Sequence, residues 1–388
     1  MTSTATKGPR SRRRLRAPAA LVGIVAWTVA ACGSGSSSTA TTVASTAGSG
    51  TSPTSTSPVP PPSSRETSGP PPATDRIAFR RFLDPSETSG ALFSSATDGS
   101  GEQQITDPPA SALDDFPDWS PDGTRLLFTR YADLGTDHES HRLFTVSSDG
   151  TGLTPLSPDV AAHGGVVEGF DDTGVFSPDG NRIAFSYGHG QVAEGGTHGI
   201  PVGSDQLEFS SIAVMDTDGG NRHEVTNDAA YSGDSVGVAW SPDGTQLVYA
   251  RYNSAAADPP NGQALFIIDV DGSNQRQLTP WDVGAGGTPD WSAAADLIVF
   301  RAVADEESGV GNFFTIHPDG TALTQITDFS STVISHKVGF SPDGQWVVFA
   351  KTATNGRNDL FIAMADGSGV RPVTNAAQAD SSPDWSSQ

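Results

Sequence analysis

Aspartates and histidines are the residues of this chain whose types and placement point to chemistry. Asp114, Asp115, Asp171, Asp172, Asp234 and Asp380 each stand a few residues ahead of a segment ending in Trp or Phe. His138, His141, His163, His189, His198 and His336 fall in the variable stretches around them. Carboxylates and imidazoles gathered at one opening can hold a divalent cation, and His138, His141 and His163 are the candidate ligands. The interval from His138 to His141 brings two side chains together on a helix, whereas these stretches read as loops. Solvated loop residues therefore satisfy the same sequence. Trp281, Phe116, Phe170 and Tyr231 suggest a second chemistry, a stacking platform for a sugar or an anchor for a protein. Packing against a neighbouring element is the plainer role for them.

Two further patterns resemble sites and do not hold. Gly233-Asp234-Ser235-Val236-Gly237 has the G-x-S-x-G spacing, but that elbow needs a strand before it and a helix after it, and here a strand-like segment follows. Asp269-Val270-Asp271-Gly272 begins like a calcium loop but lacks Gly at the sixth position and Glu at the twelfth. It reads as a hairpin turn.

The elements that must position these residues are repeats. WSPDGTRLLFTR from Trp119 returns as FSPDGNRIAFSY from Phe176, WSPDGTQLVYAR from Trp240 and FSPDGQWVVFAK from Phe340, with a degenerate copy, WSAAADLIVFRA, from Trp291. Pro pre-sets one turn dihedral and Gly accepts positive φ, so each copy reads as strand, turn, strand. A second pattern follows: an apolar run, Asp-Gly, then a polar strand ending in Thr or Ser, as in RLFTVSSDGTGLTPLS from Arg142. It occurs six times, from Ala91, Arg142, Ser211, Ala264, Asn312 and Asp359. Asp-Gly between two such runs signals a hairpin. The two patterns together make a four-stranded unit that cannot bury its faces alone, which predicts an all-β, six-bladed β-propeller of four-stranded antiparallel blades. Unalternating cores such as LLF, IAF and LVY fit strands covered on both faces.

The ends of the repeat region predict how the ring closes. Asp75 to Arg80 opens with a second-strand sequence and has no aromatic-Ser strand of its own, and the missing strand stands at the C-terminus as Pro383-Asp384-Trp385-Ser386-Ser387. The C-terminal strand is expected to join the first blade beside Arg76 to Phe79.

The aromatic-Ser-Pro-Asp-Gly turn, the IAF-type strand and the Asp-Gly hairpin resemble TolB-type (WD40-like) propeller repeats. The resemblance covers Asp75 to Gln388. It implies a protein-binding scaffold of the bacterial envelope, while related propellers also occur in prolyl oligopeptidases and in some pectate-cleaving lyases. Two departures stand out: no counterpart of the small α/β domain that precedes the TolB propeller is visible, and Ala293-Ala294-Ala295 replaces Pro-Asp-Gly in the fifth copy.

Ahead of the repeats, Lys7 to Arg16 is basic and Ala17 to Ala31 apolar, too short to span a membrane and fitting a secretory signal. Val29-Ala30-Ala31-Cys32 resembles a bacterial lipobox, whose Cys is acylated, and Cys32 is the only cysteine. Ser11-Arg12-Arg13-Arg14-Leu15 also resembles a twin-arginine export signal, and a merely basic head accounts for it as well. The following Ser, Thr, Pro, Gly and Ala run offers too little apolar surface to offset its ordering entropy and reads as a flexible tether. The expected organisation is a signal over 1–31, the lipidated Cys32 and tether over 32–74, and the propeller over 75–388. Lys and Arg number 22 against 45 Asp and Glu, a net charge of −23. The first 31 residues hold six basic and no acidic residues, so removing them leaves 16 against 45, a net of −29. That balance argues against nucleic acid and against direct adhesion to anionic lipid, leaving the lipid anchor as the membrane contact.

In a propeller the connections alternate between two ends. The short Asp-Gly turns fall at one end, and the long variable loops with most of the acids and histidines fall at the other. Variable loops on a rigid scaffold are where binding usually resides. The expected binding face comprises Asp114, Asp115, Phe116, Asp171, Asp172, Asp234, Trp281, His336 and Asp380. The function expected from this sequence is an exported, lipid-anchored adaptor for another envelope protein, with no cofactor required. The alternatives are a glycan-binding surface lipoprotein and a metal-dependent polysaccharide lyase or hydrolase with its site in the funnel.

Overall fold

The computed structural model describes residues 75–133, 140–157, 170–189, 209–226, 233–253, 262–303, 310–329 and 334–386. The proposed signal, Cys32 and the tether lie outside them, as do His138, His163, His198 and Tyr231. No helix among the described residues is long and apolar enough to cross a membrane.

Strand pairing groups these residues into six antiparallel units. The first joins β1 (Arg76–Phe82), β2 (Gly90–Ala96) and β3 (Gln103–Gln104) to the last strand, β24 (Asp380–Trp385). The second is β4 (Leu113–Trp119), β5 (Arg125–Ala132), β6 (Ser140–Ser147) and β7 (Thr154–Pro155). The third is β8 (Phe170–Phe176), β9 (Arg182–His189), β10 (Phe209–Asp216) and β11 (His223–Glu224). The fourth is β12 (Gly233–Trp240), β13 (Gln246–Asn253), β14 (Gln263–Asp269) and β15 (Arg276–Gln277). The fifth is β16 (Ala285–Ser292), β17 (Leu297–Val303), β18 (Gly311–Ile316) and β19 (Thr324–Gln325). The sixth is β20 (Ile334–Phe340), β21 (Trp346–Thr352), β22 (Asn358–Met364) and β23 (Arg371–Pro372).

The repeated turn explains the first two strands of each unit. Ser120 Oγ donates to Asp122 Oδ1 at 2.7 Å, the same carboxylate accepts the Thr124 N–H at 3.0 Å, and Gly123 takes φ 64°. The bonds recur at Ser177–Asp179, Ser241–Asp243 and Ser341–Asp343. Where Ala293-Ala294-Ala295 stands instead, Ser292 Oγ accepts the Ala295 N–H at 3.2 Å and Asp296 takes the positive φ, 52°. The turn survives the altered sequence because the serine is kept.

The outer strands are only two residues long, and their Thr or Ser explains why. The Leu92 N–H donates to Thr106 Oγ1 at 2.9 Å, and the same bond joins Leu143 to Ser157, Ile212 to Thr226, Leu265 to Thr279, Phe313 to Thr327 and Leu360 to Thr374. A side-chain hydroxyl thus replaces the next rung of the ladder and satisfies a buried amide where pairing ends.

Blade faces supply the core. Leu126 and Phe128 pack with Ala78 and Leu92 of the first unit, while Leu127 packs with Ile183 and Phe185 of the third. Successive residues of one strand bury against opposite neighbours, so the run has no polar alternation. Six such clusters join units one to two, two to three and so on, and the last joins Trp346 and Val348 of the sixth to Ile77, Phe79 and Trp385 of the first. Ile77 pairs with Trp385 and Arg81 with Asp380, so strands from the two ends of the described chain share one sheet.

Candidate functional site

The innermost strands β24, β4, β8, β12, β16 and β20 surround the axis, and each is broken by a register shift that marks a β-bulge. Phe116, Thr173, Gly237, Gly287 and Ser382 hold positive φ in five of them. A bulge re-aims the residues on either side of it. Each innermost strand therefore presents one set of side chains near its loop end and another near its turn end.

At the loop end the expected acids lie inside the strands rather than ahead of them. Asp114 is fully buried and accepts from Arg130 Nε at 2.6 Å and Nη2 at 2.8 Å. Asp115 accepts from Arg80 at 2.7 Å, and Asp380, fully buried, accepts from Arg81 at 2.7 and 2.9 Å. Asp171 pairs with Arg222, one bond at 2.7 Å. Asp172 accepts the Tyr131 hydroxyl at 2.5 Å, and Asp234 accepts the Ser210 N–H at 2.9 Å. Burial pushes the Asp114, Asp172 and Asp380 carboxyls up, partly offset by Arg130, by His141 and by Arg81 respectively. Four of the six acids are held by arginines, so they join strands instead of forming an open acidic funnel.

The other expected residues scatter. His141 lies in β6, buried between Tyr131 and Phe170 at ring separations of 4.5 and 5.0 Å, with Nδ1 4.0 Å from Asp172 Oδ2. His336 lies in β20, exposed at the axis yet ringed by protein. The loss of bulk solvation, with the Arg301 and Arg80 charges nearby, depresses its pKa to about 3. Phe116 occupies the bulge of β4. Trp281 sits in a 3-10 turn, Trp281–Val283, half-buried against Phe266 at 5.6 Å. Among the described residues no group of three or more His, Cys, Asp or Glu is arranged to hold a metal ion. Gly233 to Gly237 lies wholly within β12 with Ser235 buried, and Gly272 takes φ 83° in the turn between β14 and β15, as a hairpin requires.

At the turn end lies a cluster the sequence reading missed. A cavity of about 180 Å³ on the axis is lined by Asp118, Asp290, Asp384 and Lys337, with Trp240 and Trp291 among its walls. Lys337 Nζ stands 3.1 Å from Asp384 Oδ1 and donates to the Pro117 carbonyl. Each carboxylate also reaches the next blade: Asp384 accepts the Trp119 N–H at 2.9 Å, Asp118 the Phe176 N–H at 2.8 Å and Asp290 the Phe340 N–H at 2.6 Å. Burial, then the Asp384 charge, pushes Asp118 well up, and burial pushes Asp290 up to about 6. The signal was present as Pro-Asp-Trp-Ser at 117–120, 289–292 and 383–386. The other three innermost strands carry Val175, Ala239 and Gly339 before the aromatic residue.

Comparison with known proteins agrees with this geometry. Residues 202–388 match the family model described as TolB beta propeller domain. An uncharacterized protein of Agrobacterium fabrum is 26% identical over 240 residues, covering 61% of this chain and 65% of that protein. A Protein TolB homolog of Chlorobium luteolum is 28% identical over 159 residues, 41% of this chain and 32% of that protein. The chain thus spans less than two thirds of the length of these two relatives. Among solved structures, TolB from Acinetobacter baumannii aligns with a TM-score of 0.58 at 18% identity, over 81% of this chain and 67% of that one.

Proposed function

We propose that this chain, whose fold is that of a TolB-type β-propeller, is an extracytoplasmic binding module, held to the cell membrane by a lipid on Cys32 and serving as an adaptor for a protein of the bacterial envelope. The observation that carries the reading is the pairing of Asp114 with Arg130, Asp115 with Arg80, Asp171 with Arg222 and Asp380 with Arg81. Four of the six loop-end acids are thereby held by arginines, and the pairs stiffen the loop end into a platform. Rigid scaffolds that carry variable loops are built for recognition. No cofactor enters this reading.

The first described strand starts at the end opposite the long loops. β1 begins opposite the end of β24, with Ile77 against Trp385, so Arg76 stands at the turn end. An anchor attached at that end would leave the loop end, with Trp281 and His336, clear of the attachment point.

The reading is tested by isolating the protein from its native envelope without crosslinking. A stoichiometric protein partner is expected with the wild type and lost with Trp281→Ala combined with His336→Ala, at unchanged thermal stability. Retention of the same partner by the double variant would move the interface elsewhere. Release of the protein from membranes unaffected by Cys32→Ser would remove the anchor.

A further inference from the structure

We propose that Asp118, Asp290, Asp384 and Lys337 form a proton-linked latch across the ring, loosened when all three carboxylates are ionised and tightened when one of them takes up a proton. The latch spans the place where the chain's two ends share a sheet. Lys337, from the sixth unit, reaches both Asp384 in β24 of the first and the Pro117 carbonyl in β4 of the second. One side chain therefore joins three consecutive blades. The carboxylates are at the same time the clasps between neighbouring blades, through the amides of Trp119, Phe176 and Phe340.

Their charges do not balance. β4 brings Asp118, β24 Asp384, β16 Asp290 and β20 Lys337, while β8 and β12 line the cavity with the uncharged Val175, Phe176, Ala239 and Trp240. Three carboxylates face one ammonium in a space of about 180 Å³. Like charges held together out of bulk water favour the protonated form of one of them. A protonated carboxyl still accepts an amide N–H through its carbonyl oxygen, more weakly than the carboxylate does, so the clasp is kept while proton uptake relieves the larger cost of burial and repulsion. The raised proton affinity of Asp118 and Asp290 is the thermodynamic counterpart of this geometry.

The sign follows from linkage. Burial raises the Asp290 carboxyl to about 6, above the ordinary aspartate value of 3.8, so the native state binds a proton in a range where the unfolded chain does not. The latch contribution is largest below about pH 4 and is lost as pH rises through about 6. Acidification also lowers the surface charge, so the decisive quantity is the difference between variants.

Melting temperatures of wild type, Asp118→Asn, Asp290→Asn and Lys337→Met are to be measured at pH 7.5 and pH 5.0, with amide exchange in the wild type. The wild type is expected to gain roughly 2–4 °C on acidification. Each Asn variant should melt above it at pH 7.5 and show about half its rise, and Lys337→Met should lose more at pH 7.5 than at pH 5.0. Wild-type amides of Trp119, Phe176 and Phe340 should gain protection on acidification relative to Trp240, which faces Val175 across its junction. Should a variant fail to fold, the exchange ratio alone decides. Parallel slopes in all folded variants, or equal exchange changes at the four amides, would overturn the latch.

Discussion

Trp385 Nε1 donates to Asp75 Oδ2 at 3.2 Å, so the indole of the last strand is bonded to the residue that leads into the first. The same indole packs with Ile77, Phe79 and Trp346, two blades meeting on one side chain. Trp385→Ala should therefore destabilise the propeller by about 3–5 kcal/mol, because a large cavity opens at the junction. Trp385→Phe should cost about 1–3 kcal/mol, mainly by leaving Asp75 buried without its donor. Thermal melting of both variants and of a chain lacking Ser381 to Gln388 checks this. The truncation should be the most severe, since it also bares the edge of β1.

The hydroxyls that end the outer strands make a second prediction. Thr106→Val, Thr226→Val and Thr374→Val each leave a buried amide without a partner at nearly constant volume, at a cost of about 1–3 kcal/mol per site. Thr→Ser at the same sites should lose much less. Urea denaturation of single and combined variants should give nearly additive losses, because the three sites lie in different blades.

Removing one partner of the Asp114–Arg130 pair strands a charge in the interior. Arg130→Met alone should cost about 3–5 kcal/mol, whereas Asp114→Leu with Arg130→Met should recover most of that loss. Denaturation midpoints of the two variants decide. A single variant as stable as the double would mean that the pair contributes nothing to the platform.

On the acid side the exposed turn aspartates each contribute a small, solvent-screened amount. Hydrogen bonds from Ser120 and Thr124 lower Asp122 to about 2, and Asp98, Asp149, Asp179, Asp243 and Asp319 are lowered by the same kind of turn bonds. Depressed carboxylates contribute stability above their unfolded pKa and lose it as pH falls through the folded one, for Asp122 from about 4 to about 2. Circular dichroism across pH 2–8 should place acid unfolding below pH 4, with the latch acting in the opposite sense above it.

Local chemistry made the fold legible in the sequence. Ser-Pro-Asp-Gly and Asp-Gly turns report on their own neighbours, and they placed the strands wherever a serine anchors the turn, even at Ser292. The site was harder to read because its partners are distant in sequence. Asp114 and Arg130 belong to adjacent strands, and Lys337 reaches Asp384 only through the closed ring. The six acids looked like an open funnel because a run of Asp before a strand reads as a loop. The bulges that carry them into the innermost strands have no fixed signature, since Phe116, Thr173 and Ser382 hold there the positive φ that Gly237 and Gly287 hold in other blades. Trp281 fits either a platform or a packed side chain by sequence, and it lies half-buried with Phe266 tilted against it at 5.6 Å.

The central claim, a recognition platform at the loop end, is met most directly by photocrosslinking in the native envelope. Probes are placed at position 281, between β15 and β16, and at position 271, in the hairpin turn at the opposite end. The account predicts one protein crosslinked from 281 and not from 271, identified by mass spectrometry. Crosslinks from 271 alone, or none from either position, would contradict it.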